Sequence, residues 1–158
     1  MGVQMNGKAP LDRTRLCELA KVPRGKHIRW TKDRLLAAKQ EYGELDLIRA
    51  AILDELTRLV KPSLAKTAWL QVEKDLNTLT PRLQVMISTT TKRAYVIRDG
   101  TQLDRLLPRN EPVIVVELAE RVEEARSRLR EFRSTTAQPV GTRQSPDGAA
   151  LLPLESSA

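Results

Sequence analysis

The amino-acid sequence predicts an α+β, mainly α fold: an N-terminal helix-turn-helix, central long helices and a small C-terminal β-β-α-β-α element. Three observations predict it. Through the first half of the chain Leu, Ile, Val and Ala recur at three- and four-residue steps, the spacing of helices with one buried stripe. After Pro81 apolar and polar residues alternate instead, the period of a half-buried strand. Basic residues crowd into positions 1–34, ahead of the longest helical stripe.

The elements follow in order. Residues 1–12 read as a flexible lead. Leu16, Leu19 and Ala20 give a first helix, from Arg13 to Ala20, one apolar face. Lys21 and Val22 form a tight joint, and Pro23 suits the first position of a new helix because its missing N–H would be unpaired there anyway. That second helix, Arg24 to Trp30, is short and basic, and Gly25 weakens it. Thr31 is the expected N-cap of a third helix carrying Leu35, Leu36 and Tyr42, with Gly43 ending it. A longer helix from Glu44 to about Val60 follows, with Leu45, Ile48, Ile52, Leu56 and Leu59 as its stripe. Lys61-Pro62 breaks it, and Ser63 opens another helix to about Asn77, with Ala65, Ala68, Trp69, Val72 and Leu76 on one side.

Beyond Pro81, Leu83, Val85 and Ile87 mark one strand and Ala94 to Arg98 a second, followed by an Asp99-Gly100 turn. Thr101 to Leu107 is read as a helical turn, and Pro112 to Leu118 holds a third apolar strand. A last helix, Ala119 to Phe132, carries Val122, Ala125, Leu129 and Phe132 on one face. The expected organisation is a lead over 1–12, a helix-turn-helix head with its following helix over 13–60, a helix plus strand/helix interaction element over 61–133, and a disordered tail over 134–158, rich in Ser, Thr, Pro and Gly.

Composition narrows the function classes. The 158 residues are 41% hydrophobic but only 3% aromatic, so the core must be built from aliphatic side chains. No apolar run approaches the roughly 18 residues that cross a membrane. The opening MGVQMNGKAPLDRTR has no apolar stretch behind its charges, so no secretory signal is predicted. One cysteine and one histidine allow neither an internal disulfide nor a zinc-ligand set. A phosphate-cradling glycine loop, a nucleophile elbow and a credible Ser/Cys–His pair are all missing. The expectation is a cytoplasmic protein that is not an enzyme and uses no cofactor and no metal.

Charge points to a partner. Residues 1–34 hold nine Lys/Arg against three Asp/Glu, so +6 of the formal net charge of +7 lies in the first fifth of the chain. Cations this dense bind a polyanion by releasing its condensed counterions; the plainer reading is a solvated basic arm. In the pattern of the first two helices, Leu16, Leu19 and Ala20 pack inside, Val22 plugs the joint and Ile28 anchors the second helix. Arg24, Lys26, His27 and Arg29 are left to face outward, and Arg and Lys suit guanine edges and phosphates.

Glu18-Leu19-Ala20, Val22-Pro23-Arg24, Ile28-Arg29-Trp30 and Leu35-Leu36 stand in the order of the opening segment of the MerR family of transcription regulators, which residues 14–60 of this chain resemble. Glu41-Tyr42-Gly43-Glu44-Leu45-Asp46-Leu47 is similar to the stretch that opens that family's next helix. The resemblance implies a sequence-specific regulator bound to double-stranded DNA through Arg24, Lys26, His27, Arg29, Trp30, Lys32 and Arg34, with Trp30 at the base of a wing. The chain departs from the pattern in a turn about two residues shorter and without glycine, in Pro23 where a Ser or Thr cap stands, and in a short wing segment that reads as helical.

Other features have bland readings. Cys17 is read as buried and structural rather than reactive, Trp69 as core, Thr89-Thr90-Thr91 as a β-turn, and the mixed charges of 120–130 as a solvated face or dimer rim. A homodimer is expected, through helices 44–60 and 119–133, because one small module buries modest DNA surface. Two other function classes stand beside the regulator. One is an antitoxin-like adaptor gripping a protein through residues 113–133; the other is a basic helical subunit of a nucleoprotein or phage complex.

Overall fold

The computed structural model describes residues 9–76, 84–97 and 112–136. They form a mainly helical α+β fold with five helices and a three-stranded antiparallel sheet that precedes the last helix. The described residues fall into two units, Pro10–Leu129 and a second one holding Ala9 and Arg130–Thr136.

Helix α1, Arg13–Ala20, starts where the Asp12 carboxylate accepts the Arg15 amide at 2.7 Å, one of the four amides a helix start leaves unpaired. Leu16, Cys17 and Ala20 are buried. The helix closes on Lys21 in the left-handed conformation, φ 55°. The Lys21 amide donates to Glu18 O and the Val22 amide to Cys17 O, the paired closure that glycine usually supplies.

Helix α2, Arg24–Lys32, comes directly after, with the Pro23 carbonyl accepting the Lys26 and His27 amides. It closes in the same way. Arg34 is left-handed at φ 61°, its amide donates to Thr31 O, and the Leu35 amide donates to Trp30 O. The expected third helix does not form. Thr31 caps nothing, since its hydroxyl donates back to Ile28 O, and residues 33–43 run without regular structure to an antiparallel bridge between Tyr42 and Leu11. Leu11 is thereby buried, so the lead is fixed by residue 11.

Gly43 starts a helix rather than ending one. It is the N-cap of α3, Glu44–Leu59, and its amide donates to the Asp46 carboxylate. Leu47, Ile48, Ala51, Ile52, Leu53 and Leu56 of α3 are all buried, which takes in far more than one stripe. Leu59, expected in that stripe, is instead 52% exposed at the end of the helix. Helix α4, Pro62–Lys74, has proline in its first turn and packs on α3 through Leu64, Ala65, Ala68, Trp69 and Val72. Ser63 therefore lies inside the helix rather than at its cap.

Strands β1 (Gln84–Ser88), β2 (Ala94–Ile97) and β3 (Val113–Glu117) form a sheet in the order β2-β1-β3. Central β1 pairs Val85 with Val96 on one side and with Val116 on the other, and buries Val85, Met86, Ile87 and Ser88 in succession. Helix α4 packs against β1 and β2. Thr89-Thr90-Thr91 is a turn, as expected, with the Thr91 amide on the Ser88 hydroxyl. Leu83, the Asp99-Gly100 turn, the helical turn at Thr101–Leu107 and residues 137–158 of the tail lie outside the described residues. The last helix, α5, runs over Ala119–Thr136. Residues 134–136 are therefore helical and not tail, with the Thr136 hydroxyl donating to Phe132 O.

Lys21 and Arg34, two of the three described non-glycine residues in the left-handed region, imply a stability gain on replacement. That conformation costs an L-residue about 1–2 kcal/mol, which glycine largely avoids at some entropic cost. Lys21→Gly and Arg34→Gly are each expected to raise stability by about 0.5–1 kcal/mol, read as a higher urea midpoint with an unchanged slope.

Candidate nucleic-acid interface

The head consists of an eight-residue helix, a three-residue joint and a nine-residue helix. Leu16 and Ala20 are buried on α1 and Val22 in the joint, as the pattern predicts, whereas Leu19 is only half-buried. At about 100° per residue, the positions of α2 sort into two faces. His27 and Trp30 point inward, flanked by half-buried Lys26 and Thr31, while Arg24, Gly25, Arg29 and Lys32 span the exposed side. Ile28 is only half-buried between them and is not the main anchor. No acid lies on α2.

His27 was expected outside and lies inside, 1% exposed. Its ring meets that of Tyr42 edge-on at 5.5 Å, and its Nδ1 has no hydrogen-bond partner. Burial foremost, then the Arg13 guanidinium, lowers its pKa from 6.5 against the opposing pull of Asp46. A neutral, enclosed imidazole contacts no nucleic acid. It replaces Ile28 as the packing residue because the inward direction of α2 runs through positions 27 and 30. Trp30 is likewise buried and serves as packing.

Lys26 is also drawn inward. Its Nζ lies 3.1 Å from Asp54 Oδ1 and 5.9 Å from the centre of the Trp30 ring. Asp54 sits on α3 with 8% of its side chain exposed, and its other oxygen accepts Arg121 Nη2 of α5 at 3.1 Å. The same guanidinium nitrogen donates to Ala20 O at 2.6 Å, and Arg128 Nη1 donates to Leu19 O at 3.1 Å. Two arginines of α5 thus satisfy carbonyls at the end of α1 that a helix leaves unpaired. Cations there also face the negative end of the helix dipole.

Arg24, Arg29, Lys32 and Arg34, with Lys21 at the joint, remain exposed and have no ion-pair partner among the described residues. The structure brings Arg24, Arg29 and Lys32 together on one face of α2 and places Arg34 just beyond its end. Cys17 is a buried thiol whose pKa burial raises, with Arg13 and Arg24 opposing, so it is not a ready nucleophile.

Pattern reading missed Lys21, Asp54, Arg121 and Arg128. Asp54 carries a signal, being an acid inside the otherwise apolar Ile52–Leu56 stretch. Arg121 and Arg128, seven apart, share a side of α5 next to its buried stripe. The mixed charges of that helix are therefore in part internal.

Two measurements check this layout. Asp54→Ala removes the closer carboxylate of Arg121, 11% exposed, leaving it Glu55 at 3.7 Å, and also unpairs Lys26; it should cost about 3 kcal/mol by urea unfolding. For His27, the folded state holds the neutral form, so the unfolded chain takes up a proton first as pH falls through 6.5. Stability should decline below that pH and level off once the lowered folded pKa is passed. The drop in melting temperature between neutral pH and mildly acidic pH should be smaller in His27→Gln. No protein-family model matches this chain, and no curated protein is significantly similar to it.

Proposed function

We propose that this chain is a cytoplasmic DNA-binding regulator that sets α2 in the major groove through Arg24, Arg29 and Lys32, with Arg34 and Lys21 on flanking phosphates. One observation carries the reading: three exposed cations without ion-pair partners among the described residues share one face of a helix that has no acid, directly after a tight three-residue joint. Arg reads guanine edges bidentately, and Lys binds phosphate as a point charge. His27 and Trp30 are left out of the contact set because they are buried, and Lys26 because its ammonium is paired with Asp54. On this reading, segment 33–43 takes the role of the wing in MerR-type regulators. Since α3 is buried on most sides within this protomer, α5 is the better dimer surface.

Selection from a random duplex pool at two salt concentrations tests the reading. The wild type should enrich one site, and Arg24→Ala/Arg29→Ala should lose the enrichment. A uniform loss of affinity with no enriched site would reduce the function to backbone binding, and no binding at all would end it. For each phosphate contact removed, the slope of log K against log salt should become shallower by about 0.9.

Gly25 supplies a sharper test. A Cβ there meets nothing within 4 Å, so Gly25→Ala should stabilise the helix by about 1 kcal/mol. The position lies between Arg24 and Arg29 on the outer face, where bare backbone lets a phosphate approach closely. The alanine variant is therefore expected to be more stable and yet a weaker DNA binder.

A further inference from the structure

We infer that a cleft of about 650 Å³ beside the Lys26–Asp54–Arg121 bridge binds a small zwitterion whose ammonium and carboxylate are held apart, such as an ω-amino acid or a dipeptide. Its volume is that of small-molecule sites, roughly 300–1,000 Å³. The lining is ionic rather than apolar, which excludes a greasy ligand. Both signs of charge line the cleft. Lys21 and Lys26 come from the α1–α2 joint and α2, Glu117 from the end of β3, and Glu120, Arg121, Glu124 and Arg128 from α5. Helix α3 contributes Asp54, Glu55 and Arg58.

The internal pairing shows which groups a ligand would meet. Arg58 is held by Glu55 at 2.7 Å, Arg128 by Glu124 at 3.3 Å, and Asp54 by two cations. The side chains of Lys21 and Glu120 have no such partner among the described residues. They are a free cation and a free carboxylate in the lining of one cleft. A dicarboxylate placed across the cleft meets the glutamates, and a diamine meets the lysines. Only a ligand with one charge of each sign answers both, with its carboxylate on Lys21 and its ammonium on Glu120. The ligand carboxylate then competes with Asp54 for Lys26, whose stem is part of α2. Occupancy would thereby reach the outer face of that helix; this regulatory consequence, unlike ligand binding itself, rests on the DNA-binding reading.

Calorimetric titration of the full chain at low salt with γ-aminobutyrate, succinate and putrescine tests the inference, because the three share one four-carbon span and differ in charge. The expected result is saturable one-site binding of γ-aminobutyrate, at least about tenfold tighter than either control, as the loss of one charge-assisted contact implies. Lys21→Gln and Glu120→Gln lie outside the bridge and should each weaken it by a similar factor without moving the urea midpoint. Equal affinity for all three compounds, no saturation by γ-aminobutyrate or glycylglycine, or unaltered binding in both variants would overturn it. Repeating the duplex selection with and without γ-aminobutyrate separates the two proposals. Ligand binding by a protein that selects no duplex sinks the DNA reading alone. Duplex selection with no ligand binding sinks the cleft alone.

Discussion

The head of this protein depends on one buried carboxylate. Asp54 projects from the most enclosed helix, α3, and divides its two oxygens between Lys26 of α2 and Arg121 of α5. Arg121 passes the connection on to the last carbonyl of α1. Four helices are thus tied at one point. Burying a charge is costly, and a paired, hydrogen-bonded cluster does little better than break even against an apolar core of the same volume. The bridge is therefore better understood as setting directions than as adding stability. It decides which way α2 is rolled, and so which side chains of that helix meet solvent.

The rest of the head is held by backbone devices that work without glycine. Lys21 and Arg34 both take left-handed conformations, closing two successive helices by the same pair of amide–carbonyl bonds. Each strained closure is held in place by the residues next to it. After Lys21 comes buried Val22, and after Arg34 comes a segment fixed at both ends. Trp69 Nε1 donates to Leu35 O at 2.9 Å, and Tyr42 exchanges both backbone bonds with Leu11. Tyr42 also supplies the edge-on partner of His27, so the irregular stretch 33–43 forms part of the wall that keeps the imidazole dry.

Much of this was legible in the chain, and the failures have physical reasons. Periodicity located α1, α3, α4, α5 and the three strands, although β1 buries four residues in succession and β3 only Val116. The third helix was a false expectation for a clear reason: Leu35, Leu36 and Tyr42 have acceptable helical spacing, and nothing local announces that Arg34 will leave the right-handed region. Glycine would have announced it; arginine does not. Polarity points His27 outward, but on a helix of nine residues position decides, and position 27 lies on the inward line. Ile28 sits only one step from the inward line, so the two residues look interchangeable in sequence and differ by about 100° in space.

Charge shows the same limit in a more consequential form. Counting cations in residues 1–34 treats Arg24, Lys26 and Arg29 as equals. Their difference is set by Asp54, which is 28 residues beyond Lys26, and by Arg121, which is 67 residues beyond Asp54, and no local pattern reports either. Because Lys26 is paired with Asp54 while Arg24 and Arg29 have no ion-pair partner among the described residues, the basic face is narrower than composition suggests. It is also better defined. A cation held at the boundary by an internal acid keeps its neighbours oriented while withholding its own charge. A group that displaces Asp54 from Lys26 would widen the face without moving the chain. The internal bridge and the outward cations are therefore two ends of one electrostatic arrangement, and the position of Lys26 between them makes that arrangement adjustable.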